Sequence, residues 1–232
     1  MVFLTGDTHG DFQRFSSKHF SDGKELTKQD YIIIAGDFGG VWDVNESKAP
    51  EKYKLDWLNS KPWTTLFVDG NHENFNRLEV LPTKSMFGDE VGIVRDSIFH
   101  LKRGRVYIID GVKFFTFGGG YSIDKARRTP QIHWWPQEMP NYAEYALGMK
   151  NLAQHNNTVD YIITHSCSYN KFKEMSQEFD MIHKEADEEQ PLRDYFDIIE
   201  NSVNYKKWYC GHFHINAEFG KTEFLYGYIK KI

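Results

Sequence analysis

Short apolar runs recur along the chain, and most of them end in a glycine or a polar residue. They are "VFLTGD" (2–7), "YIIIAGD" (31–37), "TTLFVDG" (64–70), "RVYIIDG" (105–111), "KFFTFGG" (113–119), "YIITH" (161–165) and "KWYCGH" (207–212). Continuous runs of this kind, rich in β-branched and aromatic residues, predict strands of sheets covered on both faces. Helix-like segments lie between them, at 11–20, 52–60, 141–156, 170–186 and 191–201. Strands alternating with helices make the fold class α/β. "IIDGVKFF" breaks the alternation and predicts a hairpin turning on Asp110-Gly111. A second hairpin is expected around Phe219-Gly220-Lys221, so the sheets should be mixed. No repeat or low-complexity linker divides the chain, and one domain over residues 1–232 is expected.

Composition narrows the class. A chain of 232 residues can bury roughly 70% of its unfolded surface. The two cysteines, Cys167 and Cys210, do not suggest a disulfide scaffold and read as small buried hydrophobes. No long apolar stretch predicts a membrane span, and the start lacks the basic, then apolar, pattern of a secretory leader. The expectation is a soluble cytoplasmic protein with no membrane partner. A net charge of -5 argues against a dedicated non-specific nucleic-acid binder. It permits an anionic substrate, because a metal site can dominate the local field. The acidic run Asp187-Glu188-Glu189 is expected on a solvated helix end, and "LKRGRV" (101–106) at a charged hairpin turn. His133, His155 and His183 read as surface or packing histidines.

The chemistry sits where the strands end. "LTGDTHG" supplies Asp7 and His9, "IAGDFGG" Asp37, "VDGNHEN" Asn71, His72 and Glu73, "IITHSC" His165, and "YCGHFH" His212 and His214. In open α/β sheets, sites form outside the carboxyl ends of strands. Residues at i and i+2 of an extended segment point to one side, so Asp7 with His9, and His212 with His214, can face a common site. Neighbouring glycines permit close backbone approach. Aspartate, asparagine and histidine offer N/O ligation, suited to Mn²⁺, Fe or Zn²⁺ rather than to a thiolate site. A single Asp-x-His or strand-end histidine means little. Five such ends in order predict a convergent metal cluster.

This ordered set, Asp7-x-His9, Gly36-Asp37, Gly70-Asn71-His72-Glu73, His165 and Gly211-His212-x-His214, resembles the calcineurin-like metallophosphoesterases from residue 7 to residue 214. The resemblance implies two mixed β-sheets packed as a sandwich flanked by helices, in four αββα layers. It also implies two divalent ions. Asp7, His9 and His214 would hold the first, Asn71, His165 and His212 the second, and Asp37 would bridge them. His72 would assist the leaving group, so that His72, Asp37 and Asn71 form the catalytic set. One departure matters: "GDFGGVWD" places Gly40 where protein phosphatases of the family have the Asp of Asp-Arg-Gly. This argues against a dedicated protein phosphatase and removes the usual partner of the catalytic histidine. Asp69 is the local candidate to orient His72, and Glu73 is expected to accept hydrogen bonds behind the ligands.

The implied activity is metal-dependent hydrolysis of phosphate esters, with a hydroxide bridging the ions (Mn²⁺ first, Fe or Zn²⁺ as alternatives) attacking phosphorus in line. The alternative is a phosphodiesterase or nuclease, with nucleic acid or a cyclic nucleotide as substrate only. A non-catalytic metal-binding scaffold ranks below both, because all seven ligand positions and His72 are present. The stretch "FGGGYSIDKARRTPQIHWWPQEMP" resembles a segment of small bacterial and phage-type members of the superfamily. Its Lys125, Arg127 and Arg128 are the candidate substrate-phosphate residues, and Trp134 or Trp135 could stack on a base. The plainer reading is a structured loop with its arginines in ion pairs and its tryptophans packed beneath.

Overall fold

The computed structural model describes residues 1–43, 49–180 and 187–232. In chain order, β1 (Val2–Thr5), β2 (Tyr31–Ala35), α1 (Ala49–Asn59), β3 (Thr64–Val68), the single turn α2 (Phe75–Leu78), β4 (Thr83–Met86), β5 (Asp89–Arg95) and β6 (Ile98–Leu101) form the first half. The second half comprises β7 (Arg105–Ile109), β8 (Val112–Phe117), α3 (Tyr142–Gln154), β9 (Tyr161–Thr164), α4 (Tyr169–Phe179), α5 (Gln190–Ser202) and β10 (Lys207–Cys210). It ends with β11 (Ala217–Phe219), β12 (Thr222–Phe224) and β13 (Lys230–Lys231).

Two mixed sheets result. The first runs β13-β1-β2-β3-β6-β5-β4 and the second β11-β12-β10-β9-β8-β7. Each has a parallel centre: β1, β2, β3 and β6 in the first, β8, β9, β10 and β12 in the second. Antiparallel strands finish the edges.

The apolar runs are continuous because both faces of each sheet are covered. Ile33, Leu66, Phe114, Ile163 and Tyr209 point between the sheets into one core. Their neighbours Ile32, Ile34 and Phe67 point outward to Leu55, Leu58 and Trp63 on the α1 side. Phe115, Ile162 and Trp208 point outward to Leu152 of α3 and Leu192, Phe196 and Ile199 of α5. A smaller cluster joins Phe172 and Met175 of α4 to Cys167, Cys210 and Phe213. Both cysteines are free and buried, as expected of small hydrophobes.

Both hairpins form. Asp110 and Gly111 have φ of 51° and 78°, the two left-handed residues that a type I′ turn requires. The β11–β12 turn has Gly220 at φ 61°. Asn141 and Glu144 make a capping box that starts α3 one residue after the expected boundary.

Four expectations fail locally. Residues 11–20 form no α-helix, only a 3-10 turn at Gln13–Phe15, with another at Ser21–Lys24; Phe12, Phe15 and Phe20 imitate helical spacing because they fill the core as loop residues. β4, β5 and β6 were not expected. Thr83, Lys84 and Ser85 of β4 are exposed and carry no apolar signal. "LKRGRV" does not turn a hairpin. It links β6 of one sheet to β7 of the other, and Arg103 is buried. In the acidic run, Asp187 and Glu188 are exposed but Glu189 is fully buried. The part of the expected helix 170–186 beyond Asp180, with His183, lies outside the described residues. No described helix is long and apolar enough to cross a membrane.

Candidate metal centre

All seven predicted ligand positions converge at the ends of β1, β2, β3, β9 and β10. His214 Nε2 lies 3.1 Å from Asp7 Oδ2 and 3.0 Å from His9 Nε2. His165 Nε2 lies 3.0 Å from Asn71 Oδ1, 3.3 Å from Asp37 Oδ1 and 3.2 Å from His212 Nδ1. His9 Nδ1 lies 3.7 Å from Asp37 Oδ2. The donor atoms of Asp7, His9 and His214 fall within 4.8 Å of one another, as do those of Asp7, Asp37 and His165 and those of His9, Asp37 and His72. Each group could hold a metal ion. The first is the set expected for the first ion, and Asp37 belongs to both of the others.

The backbone is bent to make this convergence. His9, Asp37, His212 and His214 have φ of 48°, 47°, 71° and 55°. For residues with a side chain this region costs about 1–3 kcal/mol each and is found mostly at functional sites. Glycines at these strand ends are required by contact, Gly36 and Gly211 among them. A Cβ on Gly36 would lie 2.0 Å from His165 Nδ1, and one on Gly211 would lie 2.2 Å from Asp7 Oδ1.

The donor set fits a divalent cation of N/O preference. His165 Nδ1 donates to Ala35 O at 3.0 Å, so Nε2 is the nitrogen that a bound ion would take once its proton is displaced. Burial alone would lower the pKa of His165. Asp37, Asp7 and the Ala35 carbonyl outweigh it and push it up to about 10. The buried carboxylates thus draw positive charge to this point. Burial opposes ionisation of Asp37, yet the charges of His165, His72 and His9 hold it well below the usual carboxylate range.

Around the cluster, other groups hold it in place. Glu73 accepts from Phe38 N at 2.7 Å and Gly39 N at 3.3 Å, fixing the loop after Asp37 as expected. Burial and the neighbouring Asp37 and Asp69 push its pKa well up. Arg14, which sequence reading missed, donates to Thr5 Oγ1 and to the carbonyls of Gly6, Asp7 and Tyr226. It clamps the end of β1, and its only sequence signal is an arginine one short loop after Asp7.

Asp69 does not orient His72. It pairs instead with Arg103, 2.6 Å to Nη2, and with His100, 3.0 Å to Nε2. Arg128 takes that place: its Nη1 lies 3.1 Å from His72 Nδ1, while its Nη2 pairs with Asp124 at 2.7 Å. A guanidinium only donates, so Nδ1 accepts and the neutral ring carries its proton on Nε2. Burial, helped by Arg128, pushes the pKa of His72 down to about 4. The His72 backbone N–H donates to Asp37 Oδ1 at 2.7 Å.

The other two basic residues go elsewhere. Lys125 pairs with the buried Glu138 at 2.5 Å and lies over the Tyr121 and Trp134 rings. Arg127 is exposed. Glu138 also binds Ser122, which receives a hydrogen bond from Asn71 Nδ2 at 3.1 Å, so this loop braces Asn71. Trp135 is buried edge-on to Trp42, which follows the plainer reading of the tryptophans. A cleft of 320 Å³ opens beside the cluster, lined by His9, Gly39, Gly40, Trp42, Lys54 and His72 among others.

The chain matches the family model of calcineurin-like phosphoesterases over residues 1–216. Its relatives include the lariat debranching enzyme of Schizosaccharomyces pombe, 32% identical over 109 residues, or 42% of this chain and 22% of that protein. Lariat debranching enzyme A of Xenopus laevis is 28% identical over 155 residues, 62% of this chain and 27% of that protein. The lariat debranching enzyme of Danio rerio is 28% identical over 153 residues, 61% of this chain and 25% of that protein. The matched region thus spans about a quarter of the length of these relatives. With the match running through β1, both sheets and the His212–His214 turn, the chain belongs to the calcineurin-like phosphoesterase family.

Proposed function

We propose that the protein is a binuclear metal-dependent hydrolase of phosphate esters. The observation that carries this reading is the convergence of seven N/O side chains from five strand ends, four of them on left-handed backbone. Asp7, His9 and His214 would hold one ion, Asn71, His165 and His212 the other, and Asp37 would bridge. When bound, the ions would supply an acidified water and neutralise charge building on the phosphoryl oxygens. The chain's own groups do the rest. Asp37 fixes the His72 backbone, and Arg128 fixes the ring so that Nε2–H can hydrogen-bond, without transferring its proton, to the charge that builds on the leaving oxygen. Lys125, spent on Glu138, braces the loop, while Arg127 is free to meet substrate phosphate.

A second reading, hydrolysis of a phosphodiester in nucleic acid, has one observation in its favour: relatives named lariat debranching enzymes. Purified protein with Mn²⁺ is expected to cleave a generic aryl phosphate, and the ratio of bis-aryl diester to aryl monoester turnover separates the two readings. If neither ester is cleaved with Mn²⁺, Fe²⁺ or Zn²⁺, the hydrolase reading fails.

The role of Arg128 has its own test. Arg128→Ala is expected to lower kcat about tenfold, the loss of a charge-assisted hydrogen bond of about 1.5 kcal/mol, with KM for a small aryl ester little changed. Arg128→Lys should not restore it, because a lysine cannot fork between Asp124 and His72. An unchanged kcat in the alanine variant would remove Arg128 from the catalytic geometry.

A further inference from the structure

We propose that Glu189 is a positioning residue of the metal centre, holding the His212 ring so that Nδ1 presents its lone pair to the second ion. The proposal rests on His212 being a ligand, as in the reading above. Glu189 closes the 3-10 turn Asp187–Glu189 immediately before α5, and its side chain is 1% exposed. Its Oε2 accepts from Arg193 Nη2 at 2.9 Å. Among the described residues its Oε1 has no partner within hydrogen-bond distance; it lies 3.7 Å from His212 Nε2, with Ser166 also beside the carboxylate. On the other edge of the same ring, Nδ1 faces His165 Nε2 at 3.2 Å. The imidazole therefore stands between a buried carboxylate and the ligand cluster.

A carboxylate only accepts, so it favours the tautomer with the proton on the nitrogen facing it, which leaves the other nitrogen free to ligate. His165 is arranged the same way, with Ala35 O on Nδ1. Both histidines of the second ligand set thus have an acceptor behind them. By contrast, His214 of the first set is half exposed and stacks on Tyr226 with ring centroids 4.5 Å apart. Stability does not account for the Glu189–Arg193 pair. Arg193 is fully buried, has no hydrogen bond on Nε or Nη1 among the described residues, and lies 3.6 Å over the Phe172 ring. A well-packed apolar pair of similar volume is often as stable as such a buried ion pair, or more so. The unused oxygen aimed at His212 gives the pair a function that packing does not.

The test is Mn²⁺ titration of the metal-free protein by calorimetry, with thermal unfolding in chelator as the control for folding. Glu189→Met combined with Arg193→Met leaves no buried unpaired charge. It is expected to bind the first Mn²⁺ as the unmodified protein does and the second about 10–100-fold more weakly, the usual cost of removing a partner behind a ligand. Glu189→Gln combined with Arg193→Met keeps an acceptor facing His212 and should recover part of that loss. A folded double-methionine variant that binds both ions with unchanged affinity overturns the role of Glu189. If the unmodified protein itself binds fewer than two ions, the binuclear reading falls, and this proposal with it.

Discussion

Asp37→Asn is expected to lower kcat with Mn²⁺ by at least about 100-fold, some 3 kcal/mol of transition-state stabilisation, while the protein stays folded. Asp37 and Asp7 each belong to two of the converging ligand groups, and Asp37 is the one whose two oxygens face different histidines, His165 and His9. One oxygen faces His165 and also receives the His72 backbone N–H, and the other faces His9. Asparagine keeps the shape and is among the side chains that best tolerate the left-handed backbone present here, φ 47°. It removes the charge that would join two cations and the second anionic oxygen. The loss should therefore appear in kcat and in bound Mn²⁺ per chain, measured by metal analysis, and not in the thermal unfolding of the chelated protein. Activity within tenfold of the unmodified protein would show that Asp37 does not bridge.

The second large effect is on stability. Arg103→Met is expected to destabilise the protein by about 3–5 kcal/mol, because it leaves Asp69 buried without its principal partner. Asp69 is 1% exposed, and burial would raise its pKa were Arg103 and His100 not holding it far below the usual carboxylate range. Arg103 also donates to the Gln137 and Glu138 carbonyls and reaches Glu144 of α3. A single guanidinium thus joins the end of β3, the 118–140 loop and a helix. For a chain of this size the loss corresponds to a fall in Tm of roughly 6–20 °C. Adding Asp69→Asn removes the stranded charge and should recover much of the loss, a coupling that a double-mutant cycle measures. If Arg103→Met costs less than about 1 kcal/mol, the buried pair is not a structural keystone.

The link between these two sites is mechanical. Asp69 stands two residues before Asn71 and three before His72, at the point where β3 leaves the sheet. The Asp69–Arg103 pair fixes that exit. On the far side, the Asp69 carbonyl accepts from Gly119 N at 3.0 Å, anchoring the start of the loop that carries Arg128 to His72. A weakened Arg103 variant is thus expected to lose part of its kcat even where it remains folded, through the placement of His72.

The strand ends were the most legible part of this protein. An apolar run that stops at glycine followed by aspartate, asparagine or histidine marks both a buried parallel strand and the place where it opens to a site. All five such ends meet in space. β1, β2, β3, β8, β9 and β10 were legible because each is buried over most of its length and so reads as a nearly continuous apolar run. β4 was not, because its exposed Thr83, Lys84 and Ser85 are held by pairing to β5 rather than by burial. Residues 11–20 misled for the opposite reason: Phe12 and Phe15 are core residues on a segment whose backbone is tied to the β2 end through Thr8, His9 and Gly10.

What the sequence determined by itself was the class of fold, the two hairpins and which side chains stand together at the strand ends. These depend on periodicity, turn residues and donor chemistry, all of them local along the chain. Only the tertiary structure decided which group each charged residue serves. Asp69 was expected beside His72 and belongs to Arg103; Lys125 belongs to Glu138; Arg128 holds His72; Glu189, read as solvated, lies buried against Arg193 and His212. A buried charge takes the partner that packing brings within about 3 Å, and that partner can come from anywhere in the chain, as Arg103 does for Asp69 across 34 positions.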